Sequence, residues 1–387
     1  MAPPARLRAL AGHVTPRRAA ATAGGAQLRV EEYYSFGLRV SGFAPTATAL
    51  APEEVAAVQA ALARNAGVLV LDFGRLLPPA DLVELTSHFG EPELSPGSAA
   101  ILQENLGETT AEELRNAGGV AGEFGIDGED EEELMGKYVV VIANPGYMSL
   151  PGRPLLSTLH AAPTPQSTCL RRSGGLTHKE LTWHTDMSYI QEPPAYSLLH
   201  CREVPGDGDG ATEYADMVGA LSAMPPTLRS RIEGRSVKHC ASHSSDGTLR
   251  RGFVEPTSAE SASGAVHPMI RDLGDGREAL FLGRRPCATI QVLPHFMLWL
   301  PLTASVAHRN AHVMGLSEAE SDALLDELWD FCVQPQFCLR HEWQVGQVLC
   351  WDNRQVVHCR QAFDPSKVRT MWRTQVKGER PRPPSSA

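Results

Sequence analysis

Trp183-His184-Thr185-Asp186 is the stretch of this chain whose side chains most clearly suit chemistry. An imidazole and a carboxylate two residues apart share one face of a strand, because side chains alternate with a period of two. Far downstream, Trp351-Asp352-Asn353-Arg354 is followed by His358, Arg369 and Arg373. Two imidazoles and one carboxylate make a facial triad, which leaves open positions on an octahedral metal such as Fe(II). Guanidinium groups match carboxylates bidentately, so the two arginines suit an acidic cosubstrate or substrate beside that metal.

Of 14 histidines, His184 alone is followed at the second position by Asp. His178-Lys179-Glu180 is a competing His-x-Glu, but it follows the polar run Ser173-Gly174-Gly175-Leu176-Thr177. The run from Leu181 to Tyr189 alternates and can form a rigid strand, and metal ligands need rigid placement. The second imidazole is expected at His358, after Val356-Val357 on a late strand. His267 and His341 are read as core or surface histidines. Arg369 and Arg373 are four apart, so in one strand they face the same way. Burying a guanidinium without an anion is costly. Two inward arginines therefore call for bound carboxylate-like groups, and the competing reading is that both face solvent.

The elements that must position these residues are largely β. Ala51-Pro52-Glu53-Glu54 opens a helix with proline and carboxylates in its first turn. Gly67 to Phe73 reads as a buried strand. A second helix runs from about Pro79 to Phe89 and stops at Gly90. From 181 to 376 short strand-like segments alternate with Gly/Pro-rich turns such as Pro205-Gly206-Asp207-Gly208-Asp209-Gly210, which suggests a sandwich or jelly roll. One strong helix interrupts them, opened by a Ser317-to-Glu320 capping box.

Composition bounds the function. The 387 residues carry a net charge of −10, which argues against a general nucleic-acid binder. No apolar run is long enough to span a membrane. Eight scattered cysteines without a CxxC pair read as reduced intracellular thiols. Cys332, Cys338, Cys350 and Cys359 fit no common zinc spacing. Residues 1–27 are Arg/Ala-rich and lack acids, and are set aside as a disordered or targeting segment. The expected compartment is the cytoplasm, or an organelle if that stretch is a transit peptide. Residues 28–377 are read as one catalytic domain with a polar insertion at about 100–136, whose acidic part is expected to be a solvated surface. Residues 378–387 are read as a disordered tail. A homo-oligomer is compatible with all of this.

Taken together and in order, these pieces resemble the TauD/TfdA family of Fe(II)/2-oxoglutarate-dependent dioxygenases. The resemblance rests on Trp183 to Tyr189 with Glu192-Pro193-Pro194, and on Gly210-Ala211-Thr212-Glu213-Tyr214-Ala215-Asp216-Met217. It rests further on His267-Pro268, Ala279-Leu280-Phe281, Gly315 to Ser321, and the closing Trp351 to Arg373 set. It implies a double-stranded β-helix (jelly roll), mainly β with flanking helices. It also implies Fe(2+) on His184, Asp186 and His358, with 2-oxoglutarate and O2 as cosubstrates. Arg369 and Thr212 would take the distal carboxylate of 2-oxoglutarate, and Arg373 an anion on the substrate or the cosubstrate. The implied reaction hydroxylates a small organic acid or zwitterion, releasing succinate and CO2. Where taurine-specific members carry a neutral amide, this chain has Glu180, which would suit a cationic substrate group. A sulfonate dioxygenase is the first alternative. A betaine or trimethyllysine type hydroxylase is another, although its N-terminal Cys/His zinc module is absent, since no cysteine precedes Cys169. A metal-bound, ligand-binding pseudoenzyme is the non-enzyme alternative.

Overall fold

In the computed structural model, the described residues are 19–20, 28–43, 51–62, 67–93, 138–143, 180–243, 253–254, 256–258, 262–285, 311–364 and 366–385. Two antiparallel-rich sheets face each other. The larger contains β1 (Ala19–Ala20), β2 (Arg29–Glu32), β3 (Gly37–Ser41), β4 (Val68–Asp72), β5 (Val140–Ala143), β7 (Tyr196–Glu203), β15 (Gln347–Asp352) and β17 (Thr370–Val376), in the order β1-β2-β3-β4-β15-β7-β17-β5. The smaller contains β6 (Leu181–His184), β8 (Thr212–Asp216), β14 (Cys338–His341) and β16 (Val356–Arg360), in the order β14-β8-β16-β6. This is the jelly roll expected from the sequence. Short strands β9 (Ser236–His239), β10 (Val266–Pro268) and β13 (Ala311–Val313) form a third sheet, and β11 (Ile270–Asp272) pairs with β12 (Glu278–Leu280).

Alternation along the strands divides the apolar residues into three layers. Outside the large sheet, Leu69, Leu71, Leu198, Trp372 and Val376 pack with Leu82, Val83 and Leu85 of helix α2 (Pro79–Ser87) and with Val58 of α1 (Pro52–Leu62). Thr86 ties α2 to β17, its hydroxyl sharing a 2.7 Å hydrogen bond with Thr374. Outside the small sheet, Ala215 and Val357 meet α3 (Met217–Ser222), α4 (Pro226–Arg229) and α5 (Glu318–Cys332). The capping box at Ser317 and Glu320 starts α5, and Leu324, Leu325 and Leu328 form its buried stripe. Between the sheets lie Leu199, Cys201, Tyr214, Leu349, Trp351 and Met371. This inner layer gives way to polar residues at the mouth of the barrel.

The described residues from 378 to 385 are ordered against the body, unlike the disordered tail expected there. The amide of Asp272 donates to the Arg382 carbonyl at 2.9 Å, and Pro381 is buried. Gly378 lies so close to Pro193 that a Cβ would sit 1.8 Å from its carbonyl oxygen. Backbone pairing thus overrides a Pro/Ser-rich composition. Ala19–Ala20 pairs with β2 inside the stretch set aside at 1–27. The rest of that stretch and the insertion at about 100–136 lie outside the described residues, as do the acidic segment and His178.

Candidate metal and cosubstrate site

His184 ends β6 and His358 lies in β16, 174 residues later in the chain. The two are direct cross-strand partners, so their rings sit 4.2 Å apart between centroids. Asp186 is not on the strand. Strand β6 stops at His184, and Asp186 opens a turn whose next residue, Met187, has a φ of 49°. Side-chain alternation therefore does not place this carboxylate, contrary to the expectation from its spacing. Asn353 does. Its side-chain oxygen accepts from the Asp186 amide at 3.0 Å, and its amide nitrogen donates to the carbonyls of Asp186 and Pro194, each at 3.0 Å.

The carboxylate itself is aimed by two further groups. Ser197 donates to Oδ2 at 2.8 Å, and Gln375 reaches the same oxygen at 3.4 Å. Oδ1 is left facing Nε2 of His184 and of His358, 3.8 Å from each. One ligand atom from each of the three residues lies within 4.8 Å of the others. Among the described residues this is the only such cluster, and the four late cysteines form none.

Protonation states suit a metal. Burial holds both His184 and His358 below the usual imidazole range, so both are neutral near pH 7 and offer a lone pair. Nδ1 of His184 donates to the Thr182 carbonyl at 2.7 Å, which leaves Nε2 for a ligand. Burial works against ionisation of Asp186. His358 where it carries a proton, the Arg373 guanidinium, a protonated His184 and the Ser197 hydroxyl all act the other way; with both imidazoles neutral, Arg373 and Ser197 keep the group a carboxylate. Two neutral imidazoles and one carboxylate with their donor atoms converged fit a divalent metal.

Arg369 precedes β17, and a register shift against β7 falls between Thr370 and Met371. Arg369 is nevertheless buried inside the barrel. Its Nε donates to the Gly210 carbonyl at 3.2 Å, and its charge faces Cys201 and Tyr214. Gly210 leaves room for it: at φ +71°, a Cβ there would lie 3.1 Å from Arg369 Cδ. Thr212 and Tyr214 share the inward face of β8 next to that glycine. The Thr212 hydroxyl accepts from Trp343 Nε1 at 2.9 Å. Its own proton is thereby free to donate to an anion. Tyr214 and Trp351 flank His358, with ring centroids 5.9 and 4.8 Å away. Arg373 points into the barrel from β17, with Nη1 3.7 Å from Asp186 Oδ1.

Glu180 is not brought to this site. It is exposed just before β6 begins, and its charge bears on Cys359, whose neighbour His358 faces the other side of β16. Three groups at the site were not anticipated. Arg284 is buried beside His184, which it meets through an isolated β-bridge. Arg360 stands across from Thr212 on β16, buried near Arg369. Glu93 is buried where the segment after α2 runs along β17. Period-two reading from His358 gives Arg360 (its partner Thr212 is already in the site). The other two carried no local signal.

The sequence profile described as "Taurine catabolism dioxygenase TauD, TfdA family" matches residues 155–375, more than half of the chain. The chain belongs to the TauD/TfdA family. An alpha-ketoglutarate-dependent 2,4-dichlorophenoxyacetate dioxygenase of Cupriavidus pinatubonensis is 34% identical over 194 residues, covering 49% of this chain and 58% of that protein. An (S)-phenoxypropionate/alpha-ketoglutarate-dioxygenase of Sphingobium herbicidovorans is 28% identical over 204 residues, 51% of this chain and 62% of that one. The matched region thus spans somewhat more than half the length of these curated relatives. Among solved structures, a taurine dioxygenase from Burkholderia xenovorans superposes with a TM-score of 0.55 at 22% identity, covering 92% of this chain and 91% of that one. AAD-2 with Mn(II) and N-oxalylglycine gives 0.55 at 21%, covering 92% of this chain and 98% of that one. These likenesses show the fold.

Proposed function

We propose that this chain is an Fe(II)- and 2-oxoglutarate-dependent dioxygenase that hydroxylates a small organic acid or zwitterion. The observation that carries this reading is the convergence of His184, Asp186 and His358, one ligand atom each within 4.8 Å, beside the buried Arg369 and Thr212. The two curated relatives described above support it, since both are alpha-ketoglutarate-dependent dioxygenases of an aryloxy acid. His184, Asp186 and His358 would hold the metal. Fe(II), when bound, supplies the coupling of O2 reduction to the oxidative decarboxylation of 2-oxoglutarate, giving succinate, CO2 and a hydroxylated product.

The chain's own residues do the rest. Arg369 and the Thr212 proton would anchor the distal carboxylate, as a charge-assisted pair with a second donor. The Asn353 clamp, Ser197 and Gln375 fix the carboxylate ligand before any metal arrives. The Tyr214 and Trp351 rings beside His358 line the site with apolar surface, which keeps water from the reacting centre. Arg373 would orient an acidic group of the substrate. We read 28–377 as one such domain.

The test is succinate formation from 2-oxoglutarate by the Fe(II)-loaded chain, across sulfonates, amino acids, betaines and aryloxy acids. Stimulation by one class is expected. The His184→Ala variant should lose turnover and bind Fe(II) at least tenfold more weakly. Unimpaired metal binding by that variant would move the site elsewhere.

A further inference from the structure

Glu93 is reached from sequence by no motif, yet it is one of the few carboxylates buried among the described residues, 9% exposed. Its amide donates to the Gln375 carbonyl at 2.8 Å, and Pro92 bridges Val376, so the segment lies along the edge of β17. Its carboxylate feels the charges of Lys377, Arg373, Asp186 and Glu192. Two of those, Arg373 and Asp186, belong to the site described above. Oε2 of Glu93 is buried and has no hydrogen-bond partner among the described residues. The same holds for Nε of Arg373, whose nearest ion pair is the 3.7 Å approach to Asp186. Glu93 lies opposite Gln375, whose side chain reaches Asp186, so the acid and Arg373 both bear on the metal site, each with a polar atom left over. Lys377 is engaged with Glu91 at the surface.

A buried polar atom without a partner is costly, and buried polar groups are ordinarily bonded. A ligand that satisfies Arg373 alone would leave Glu93 orphaned and set a second negative charge near it. A ligand that carries both an acidic group and an N–H cation satisfies both. We propose that Glu93 and Arg373 together read the primary substrate as an amino acid, Arg373 taking its acidic group and Glu93 its protonated amine. This assigns to Glu93 the recognition of the cationic group that the sequence suggested for Glu180, and it rests on the dioxygenase reading above. The carboxyl is pushed up to about 7 by burial, against Lys377 and Arg373, which is the behaviour of an acid lacking a close cation. An ammonium group would supply one. A quaternary ammonium would not, since it has no N–H to donate.

The experiment compares matched acids that differ only in the amine: phenylalanine with 3-phenylpropanoate, and 5-aminopentanoate with pentanoate. Binding is measured by calorimetry on the full chain loaded with Mn(II) and 2-oxoglutarate, where no turnover occurs. The amine-bearing member of at least one pair should bind roughly tenfold or more tightly, as a charge-assisted hydrogen bond provides. Glu93→Gln should collapse that ratio toward one while leaving 2-oxoglutarate affinity unchanged. Arg373→Gln should weaken both members of the pair together. Deaminated acids that bind as well as the amines would overturn the proposal, as would failure of every amine to bind, or a ratio that Glu93→Gln does not move. Failure of Mn(II) or 2-oxoglutarate themselves to bind would instead strike the dioxygenase reading.

Discussion

Asn353 is the residue whose removal most directly tests how this site is built. It is 1% exposed, and its side chain closes three hydrogen bonds of 3.0 Å across the turn that carries Asp186. In Asn353→Ala the Asp186 amide loses its acceptor inside the protein, at about 1–3 kcal/mol for an unsatisfied buried donor. The two carbonyls are cheaper to leave, because an under-satisfied C=O is better tolerated than an orphaned N–H. The turn also holds Met187 at φ 49°, a left-handed conformation that costs a non-glycine residue about 1–2 kcal/mol and persists only while its surroundings enforce it. The three lost hydrogen bonds together take about 3 kcal/mol off the unfolding free energy, and relaxation of Met187 offsets part of it. Once freed, the turn no longer aims the carboxylate, so metal affinity should fall about 10–100-fold. Urea denaturation of the metal-free chain and an Mn(II) titration measure the two effects separately. Asn353→Asp sharpens the test. It keeps the acceptor for the Asp186 amide but sets a second oxygen against two carbonyls, so it should be no better than alanine. A variant within 1 kcal/mol of the parent that binds metal equally well would refute the clamp.

Arg369→Ala should raise the half-saturating 2-oxoglutarate concentration about 10–100-fold, the loss of a charge-assisted pair worth about 1.5–3 kcal/mol; equilibrium binding to the Mn(II)-loaded chain reads it. Gly283→Ala should destabilise the protein strongly, because its φ is +79° and a Cβ would lie 2.0 Å from His239 Nδ1. Since the Gly283 carbonyl accepts from Thr185 at 2.7 Å, metal affinity should fall with it, and thermal melts with and without Mn(II) check both. The metal-free protein should lose stability on acidification. Burial lowers His200 and His267 to about 4 and His341 to about 3, from an ordinary value of 6.5. A folded pKa below the unfolded one means that the unfolded chain takes up the proton first. The neutral histidines' contribution is therefore complete above about pH 6.5 and drains away as pH falls toward 4. Glu93, raised to about 7, runs the other way and favours the folded state below pH 4.5. Three sites outweigh one, so melting temperature should drop between pH 6.5 and 4; a flat profile would contradict the buried neutral assignment.

The sequence by itself picked out the three donor residues that converge, the jelly-roll class and the helices that flank it. His184 and Asp186 are legible because two donors two residues apart are rare by type. The capping box at Ser317 and the run at 67–73 are legible because caps and apolar periodicity act within a few residues. Only the tertiary structure decided how the parts are held. Reading Asp186 as a strand residue reached the carboxylate that converges with the two imidazoles, but through the wrong geometry, since β6 ends two residues earlier and Asn353, 167 residues away, fixes the turn. Counting back four residues from His184 pointed to Glu180, but the strand begins at Leu181 and the position before it faces outward. The buried carboxyl we propose for that role, Glu93, is delivered by pairing with Gln375 of β17 from a segment nearly 300 residues upstream. Residue type and local period fix what a side chain can do. Which side chains meet is set by strand pairing and burial across the whole chain, and no local window contains that information.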